Sequence, residues 1–320
     1  MIKTILLTSL VWCVLSNNGR AEEPAAPSSA QNSTDEKQAE PAGRASTGAT
    51  PAEAAPVEEV SNVQEVHPES AWESSNYERI DRVVNLLTTT PTRKHALLIT
   101  IDHRPFEAAF TKNFFRDWFG FDSDSLKIGI GLRFGILEDL DIGLFRLNQT
   151  VEKFDVYQLD ARYRFLKQDH MLVNMAIRAG WTWFYRDDAR SSFGALGQLM
   201  IDRVFWDMLE LGVSLLYHSS STGYQKNAND TDYSLAFGAY FQFRPVASII
   251  WSTEISVTMA GYAEAHPIIS TALKFVTYRH TFSLVVTNSQ YISADGVVAN
   301  TYRQAKDLIL GFTITREIDF

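Results

Sequence analysis

Apolar and polar residues alternate with a period of two from residue 94 to the C-terminus. The clearest case is residues 308–320, which place apolar side chains on one face and small, hydroxylated or acidic side chains on the other. Successive side chains of a β-strand point to opposite faces, so the pattern predicts strands with one apolar face. Twelve segments follow it: residues 96–101, 126–134, 140–147, 157–165, 171–185, 195–205, 209–217, 233–243, 249–259, 268–277, 281–287 and 308–320.

A soluble β-sandwich also alternates, but three features favour a membrane barrel. The clearer segments run to about 9–13 residues, the length that a tilted strand needs to cross a bilayer, whereas strands of soluble proteins average about 5–6. The polar face carries charges in mid-strand, which suits a water-filled lumen. Aromatic residues gather at strand ends, as in the girdles at membrane interfaces. The sequence therefore predicts an all-β fold, a closed up-and-down antiparallel transmembrane barrel of about 12 strands.

The connections and the C-terminus point to the bacterial outer membrane. Short turns alternate with longer loops, as in barrels that keep both termini in the periplasm. The chain ends on an aromatic residue after an alternating strand, which resembles the terminal assembly signal of outer-membrane barrels. Arg316 is the one cation on that apolar face. The expected partners are outer-membrane lipid and the barrel-assembly machinery, and the residues assigned to the signal are Phe312, Ile314, Ile318 and Phe320.

The N-terminal quarter predicts export and a linker. Residues 1–21 read as a secretory signal peptide, with Lys3 ahead of an apolar run and small residues at the cleavage site. Cys13, the only cysteine, lies inside it, so the mature chain has no disulfide or thiolate site. Residues 22–75 hold eleven acidic residues and six of the ten prolines, and predict a disordered periplasmic linker. The linker is either a solvated spacer or a tether for a periplasmic partner. The acidic net charge of −9 argues against nucleic acid as a partner.

Residues 76–93 predict a short amphipathic helix and a lead-in to the barrel. Ser75 and Glu78 fit a capping box, and apolar residues recur at three- and four-residue steps. A helix this short needs a surface to pack on. It can pack at the mouth of the barrel, which we favour, or enter the lumen as a plug.

Several motifs along the predicted barrel resemble a known family. His103-Arg104 closes the first strand, Phe119-Gly120-Phe121-Asp122 ends the following loop, Phe134-Gly135-Ile136 ends the second strand, and Gly143-Leu144-Phe145-Arg146 lies on the third. Together they resemble a family of uncharacterised bacterial outer-membrane β-barrel proteins, a domain of unknown function, over about residues 80–320. The resemblance implies the fold and no activity. Pro105 departs from the family pattern, so the first loop can differ.

Strand parity assigns charged residues to the lumen. Seven are basic and seven acidic, which predicts either a paired network that closes the barrel or a selectivity lining for a small polar solute. The densest basic group, on neighbouring strands, is the candidate anion-contacting patch: Arg162, Arg164 and Arg178. The full assigned lining is Lys127, Arg133, Asp141, Asp160, Arg162, Arg164, Arg178, Asp202, Glu210, Arg244, Glu254, Lys274, Glu317 and Asp319.

Catalysis has one weak candidate, His218 with Ser220, which resembles the His-x-Ser dyad of outer-membrane lipid hydrolases. Such phospholipases carry asparagine directly after the serine, where this chain has Ser221. Parity also turns His218 to the lumen, away from membrane lipid, so we expect no enzyme. The seven histidines lack metal-ligand spacing, and we expect neither metal nor cofactor. The expected function is a channel for small polar solutes, passive or gated. The alternative is a closed structural or interaction barrel with a periplasmic tether.

Overall fold

The fold is a closed antiparallel barrel of twelve strands in which each strand pairs with its sequence neighbours and β1 pairs with β12. The computed structural model describes residues 80–106, 126–149, 154–186, 191–221 and 231–320. The predicted signal peptide and linker lie outside these residues. The strands are β1 (Ala96–Pro105), β2 (Leu126–Leu137), β3 (Leu140–Gln149), β4 (Phe154–Leu166), β5 (Asn174–Arg186), β6 (Ser192–Phe205), β7 (Leu209–His218), β8 (Ser234–Val246), β9 (Ile249–Gly261), β10 (Ile268–Val276), β11 (His280–Thr287) and β12 (Ile309–Asp319).

The alternation in the sequence becomes an inner and an outer face. Outward side chains are large and apolar and lie on the protein surface, where membrane lipid would contact them. Leu144, for example, is 48 % and Trp181 is 55 % exposed. Inward neighbours such as Gln158 and Thr182 are buried. The predicted fold class and the strand count of twelve are confirmed, and the strand boundaries agree to within a few residues.

The connections divide between the two ends of the barrel. The short turns, such as those after β2, β6 and β8, lie at one end, called here the turn end. The start of β1 and the end of β12 are at the same end, because Ala96 pairs with Asp319. The opposite loop end carries the longer connections, including residues 288–308 between β11 and β12. The predicted alternation of turns and loops holds for most connections, but residues 167–173 at the turn end form a longer connection than residues 150–153 at the loop end.

The predicted N-terminal helix is wrong over residues 80–87, and residues 75–79 lie outside the described part of the chain. The chain reverses there as a narrow hairpin, in which the Thr88 N–H donates to the Asp81 carbonyl and the Val83 N–H to the Leu86 carbonyl. The only helix in the described ranges is α1 (Ala294–Val297). Among these residues, no helix is long and apolar enough to cross a membrane.

Two segments fill the barrel interior. Residues 80–92, called here the plug, enter from the turn end and reach mid-depth, where Asn85 contacts Glu254 and Ser270. The packing at the mouth that we favoured is therefore not what the structure shows. Residues 288–302, called here the cap, fold inward from the loop end. The two meet in an apolar cluster to which the plug contributes Val83, Val84 and Leu86 and the cap Tyr291, Ala294, Val297, Val298 and Ala299.

Candidate functional site

An arginine–aspartate ladder lines the lumen along β2 to β5. The Arg133 guanidinium bridges two carboxylates, with Nη1 2.7 Å from Asp141 Oδ1 and Nη2 2.7 Å from Asp160 Oδ1. Arg178 Nη2 lies 2.7 Å from the other oxygen of Asp160, and Arg162 Nη2 lies 2.5 Å from Asp141 Oδ2. Each carboxylate thus sits between two guanidinium groups. Such mutual pairing compensates for the removal of these charges from bulk water.

The opposite wall, from β6 to β10, binds its carboxylates mostly through neutral donors. Asp202 accepts hydrogen bonds from Asn174 Nδ2 at 2.9 Å and from the Tyr240 hydroxyl at 3.0 Å. Glu210 accepts one from Gln242 Nε2 at 2.7 Å. The two walls therefore hold their carboxylates through different donors, guanidinium groups on one wall and neutral side chains on the other.

Glu254 on β9 binds the hairpin of the plug through hydrogen bonds. Its two carboxylate oxygens accept the backbone N–H groups of three consecutive residues, Val84 at 3.0 Å, Asn85 at 2.9 Å and Leu86 at 3.0 Å. The Asn85 N–H also lies 3.1 Å from the second oxygen, and the Asn85 side-chain amide donates at 2.9 Å. Successive backbone N–H groups that converge in this way form an anion-binding nest. Because these N–H groups donate to Glu254, they cannot donate to carbonyls four residues earlier, and no helix forms.

Two further wall carboxylates bind backbone N–H groups of the plug. Asp202 Oδ2 accepts the N–H of Thr89 at 2.9 Å. Asp141 Oδ2 accepts the N–H of Thr92 at 2.7 Å. Hydrogen bonds to charged groups are stronger than those between neutral groups, at about 1.5–3 kcal/mol each. The plug is therefore anchored along its length, from the hairpin to Thr92, its last residue.

Wall cations bind the carbonyl groups of the plug. Arg162 Nη1 donates to the Asp81 carbonyl at 3.0 Å and to the Thr88 carbonyl at 3.1 Å. Lys274 Nζ donates to the Arg82 carbonyl at 2.6 Å. The wall thus supplies acceptors for the N–H groups of the plug and donors for its carbonyls. Most hydrogen bonds between wall and plug therefore involve the plug backbone.

Two side chains of the plug also contact the wall. Arg82 Nη1 lies 3.0 Å from Asp102 Oδ2 on β1. Burial lowers the pKa of Arg82, but the carboxylates of Asp102 and Asp81 outweigh it, and the pKa lies above its ordinary value. Leu86 packs against the bare backbone of Gly238 on β8, where a Cβ would come within 2.6 Å of Leu86 Cδ1. Glycine at that position makes room for the leucine.

The cap closes the lumen from the loop end. Thr258 on β9 binds it twice, with its N–H donating to Asn300 Oδ1 at 2.8 Å and its hydroxyl to the Val298 carbonyl at 2.6 Å. The Ala294 N–H donates to Gln158 Oε1 on β4 at 3.3 Å. A cavity of about 40 Å³ between plug, cap and ladder has room for only a few water molecules. In this conformation the lumen is occluded.

The residues assigned to the lumen by parity are mostly inside the barrel. The structure buries Lys127, Arg133, Asp141, Asp160, Arg162, Arg178, Asp202, Glu210, Arg244, Glu254, Lys274 and Glu317. Asp319 is exposed at the turn end and accepts a hydrogen bond from Arg93. Asp102 on β1, which binds the plug, was missed, although it occupies an inward position of an alternating strand.

The three arginines of the candidate anion-contacting patch separate. Arg162 and Arg178 stand opposite each other in register, and both bind ladder carboxylates. Arg164 instead binds Asp139 in the β2–β3 turn, with Nη2 2.9 Å from Oδ1. Burial raises the pKa of Asp139, but hydrogen bonds from Lys167 and Arg164 outweigh it, and the pKa lies below its ordinary value.

The environment of His218 differs from that of a catalytic dyad. The imidazole is fully buried in the lumen, its Nδ1 accepts the backbone N–H of Ser220 at 3.1 Å, and its Nε2 lies 2.9 Å from the Thr182 hydroxyl. A general base for the Ser220 hydroxyl needs a ring nitrogen with an available lone pair directed at that hydroxyl. These contacts instead hold the ring across Gly194 of β6, against Thr182 of β5. The described ranges contain no cluster of three or more His, Cys, Asp or Glu side chains arranged to hold a metal ion.

The residues assigned to the assembly signal lie on the outer face of β12 and at its end. Phe312 stacks on His103 of β1 at a ring distance of 4.5 Å. Phe320 is 79 % exposed at the turn end, and its N–H donates to the His95 carbonyl. This placement leaves the terminal aromatic side chain accessible. Its recognition by the assembly machinery stays a prediction.

Comparison with known proteins gives a family and distant structural neighbours. Residues 80–318 match the family model described as a membrane-bound beta barrel domain (DUF5777). Comparison with curated proteins gave no significant match. Similar solved structures include an outer-membrane channel from Pseudomonas putida F1, with 7 % identity over 71 % of this chain and 96 % of that one, at a TM-score of 0.45.

Two other neighbours have different stated functions. The NanC porin has 10 % identity over 69 % of this chain and 98 % of its own, at a TM-score of 0.42. Outer membrane phospholipase A from Escherichia coli has 13 % identity over 77 % of this chain and 98 % of its own, at a TM-score of 0.38. Similarity at this level indicates neither ligand nor activity. The family match and the closed twelve-stranded barrel confirm the resemblance inferred from the sequence motifs. Because bacterial membrane barrels of this kind lie in the outer membrane, the chain is an outer-membrane β-barrel, and it belongs to the membrane-bound beta barrel family DUF5777.

Proposed function

We propose that this protein is a gated channel for small polar solutes, closed by its own plug and cap. The observation that carries the proposal is the chemistry of the plug contacts. Glu254, Asp202 and Asp141 hold it through hydrogen bonds that water can replace when the plug leaves. The plug also buries five aliphatic side chains, those of Ile80, Val83, Val84, Leu86 and Leu87, so it is held in place by apolar contacts as well.

The cap supports gating because it rests partly on the plug. Val83, Val84 and Leu86 of the plug share one apolar cluster with Val297 and Val298 of the cap. When the plug leaves, these cap residues lose apolar contacts and face water, so the cap is destabilised. Movement of the plug at the turn end is thereby coupled to opening at the loop end.

The proposed orientation of the barrel would make the plug accessible to a periplasmic partner through the linker. With both termini in the periplasm, as short turns and long loops suggest, the acidic linker would lead through residues 76–79 into the plug. A periplasmic partner that binds the linker would then be able to pull on the plug. The linker as a tether and the periplasmic side of the termini are parts of this proposal.

A closed barrel with a structural role is the second candidate. The ladder of Arg133, Arg162 and Arg178 with Asp141 and Asp160 favours it, because paired charges across adjacent strands brace the wall. Under this alternative, the plug would stay docked under all conditions.

An engineered disulfide separates the two candidates. Leu86 Cγ lies 3.6 Å from the Cβ position of residue 238, so Leu86→Cys with Gly238→Cys places two thiols within bonding range. The mature chain has no other cysteine. A gated channel predicts discrete conductance steps of the double variant in a planar bilayer under reducing conditions, and loss of these steps on oxidation. Each single variant should be insensitive to oxidation. Silence of the reduced variant, in a barrel that resists SDS until heated, would favour the structural role.

A further inference from the structure

We infer that the lumen wall is a binding site for peptide backbone, and that short peptides are the solutes this barrel takes. The inference rests on the proposed function, because the plug occupies the site until the gate opens. The plug is itself a peptide bound in the lumen. The way in which the wall holds it defines what else the wall can hold.

The hydrogen bonds from the wall go to groups that every peptide has. Three carboxylates accept five backbone N–H groups of the plug, those of Val84, Asn85, Leu86, Thr89 and Thr92. Two cations donate to three backbone carbonyls. Acceptors for N–H groups and donors for carbonyls are thus provided along one path. This recognition does not depend on the side chains of the ligand, as when a peptide adds to a sheet edge through main-chain hydrogen bonds.

Side chains add a limited preference. Leu86 enters a recess over Gly238, in the same cluster as Ala236 and Tyr240. A recess of this kind accepts an aliphatic residue of similar size. Arg82 pairs with Asp102 three residues before the hairpin centre. The preferred ligand is therefore a peptide with an aliphatic residue and a basic residue four positions earlier.

Other small polar solutes fit this wall less well. An inorganic anion that reached Arg162 would also meet the carboxylate of Asp141, and one that reached Lys274 would also meet that of Glu254. A simple cation would meet the guanidinium groups of the ladder. An amide chain presents donors and acceptors in alternation, so it satisfies both kinds of group at once.

The test frees the site in a barrel that has already folded with its complete chain. A site for a specific protease is inserted after Arg93, next to the exposed Lys94, and the chain is cut after folding. The plug is then displaced with excess unlabelled peptide of residues 80–92, which is washed out. Binding of the same peptide with a fluorescent label is measured by anisotropy, in competition with three unlabelled peptides.

The first competitor is a scrambled peptide of the same composition, and the second is N-methylated at Val84, Asn85 and Leu86. The third is N-methylated only at Thr90, whose N–H donates to Thr88 within the plug. We expect the scrambled and Thr90-methylated peptides to bind within about tenfold of the native one. We expect the triply methylated peptide to bind about 100-fold or more weakly, because it loses three hydrogen bonds to a carboxylate.

Two results would overturn the inference. One is binding of the triply methylated peptide as tight as that of the native peptide, which would show that the backbone hydrogen bonds are not what holds the peptide. The other is no binding of the scrambled peptide, which would leave a site for the plug sequence alone. Failure of the gated channel looks different: the cut barrel would bind peptides and show no conductance. Conductance without binding of the native or scrambled peptide would instead reject the peptide site and keep the channel.

Discussion

Replacement of Glu254 by glutamine should loosen the plug while leaving the barrel wall intact. Glutamine has nearly the same shape as glutamate, so packing around residue 254 is kept. What changes is the hydrogen bonding, because glutamine has one acceptor oxygen and one donor nitrogen where the carboxylate has two acceptors. In the native structure Oε2 accepts the N–H groups of Val84, Asn85 and Leu86, and Oε1 accepts the N–H and the side-chain amide of Asn85.

The expected size of the effect follows from these five hydrogen bonds. With the glutamine oxygen toward Val84 and Leu86, two hydrogen bonds lose charge assistance, at about 1 kcal/mol each. The amide nitrogen then faces the side-chain amide of Asn85, which loses its acceptor at residue 254, and a buried donor without an acceptor lowers stability by about 1–3 kcal/mol. A loss of at least about 3 kcal/mol in docking free energy is expected, which is about a 100-fold rise in the undocked fraction.

Amide hydrogen exchange of residues 80–92, followed by mass spectrometry, measures this fraction. The buried N–H groups of the plug exchange only when it undocks, so their exchange rate reports the undocked population. The exchange in β5 and β6 serves as an internal reference for the barrel. We expect plug exchange to become about 100-fold faster in Glu254→Gln, while the reference strands are unchanged.

The matched control is Glu210→Gln. Glu210 is also a buried inward glutamate, and its hydrogen bond goes to Gln242 on the wall. Its replacement should change plug exchange by less than about threefold, since it removes no contact with the plug. Equal plug protection in Glu254→Gln and the wild type would refute the assignment of Glu254 as the anchor. Equal acceleration in both variants would do so as well.

Three further predictions concern the wall and the termini. Gly143→Ala should lower the temperature at which the barrel unfolds on SDS gels, because its Cβ would lie 2.4 Å from Arg133 Nη2, whereas Gly197→Ala has nothing within 4 Å and should have no such effect. Asp139 has a lowered pKa, so its contribution to stability should be present above the ordinary aspartate pKa of about 3.9 and fade as the pH falls through the lowered value. Asp139→Asn should therefore destabilise the protein at neutral pH, and the difference from wild type in a denaturant titration should vanish in strong acid; a constant difference would contradict this. Deletion of Phe320 should reduce the amount of folded barrel in cells but not the refolding of purified protein in detergent, and equal losses in both would point to stability instead of assembly.

The barrel could be predicted from sequence because two different solvents act on its strands. Lipid outside and polar groups inside select opposite residue types at successive positions, and this leaves a period of two that can be read directly. The ends of β7 and β9 were located within a residue or two for that reason. The charged lining followed from the same parity.

The plug could not be predicted because its conformation depends on distant residues. Ile80, Val84 and Leu87 have the spacing of a helix face. The β-branched residues Val83 and Val84 disfavour a helix only weakly, so the local sequence does not decide the conformation. The deciding partner is Glu254, about 170 residues further along the chain. The cap did leave a signal, since Ile292, Val297 and Val298 are apolar residues in a long loop, where polar residues are expected.

The most direct test of the account is to record one barrel in a planar bilayer before and after its plug is cut. The protein carries the protease site after Arg93, and protease is added to the chamber that faces the turn end. We predict brief and infrequent conductance steps before cutting, sustained steps after cutting, and a return to the brief steps when excess peptide of residues 80–92 is added. A barrel that is silent after the plug has been cut and washed away would contradict the gated channel.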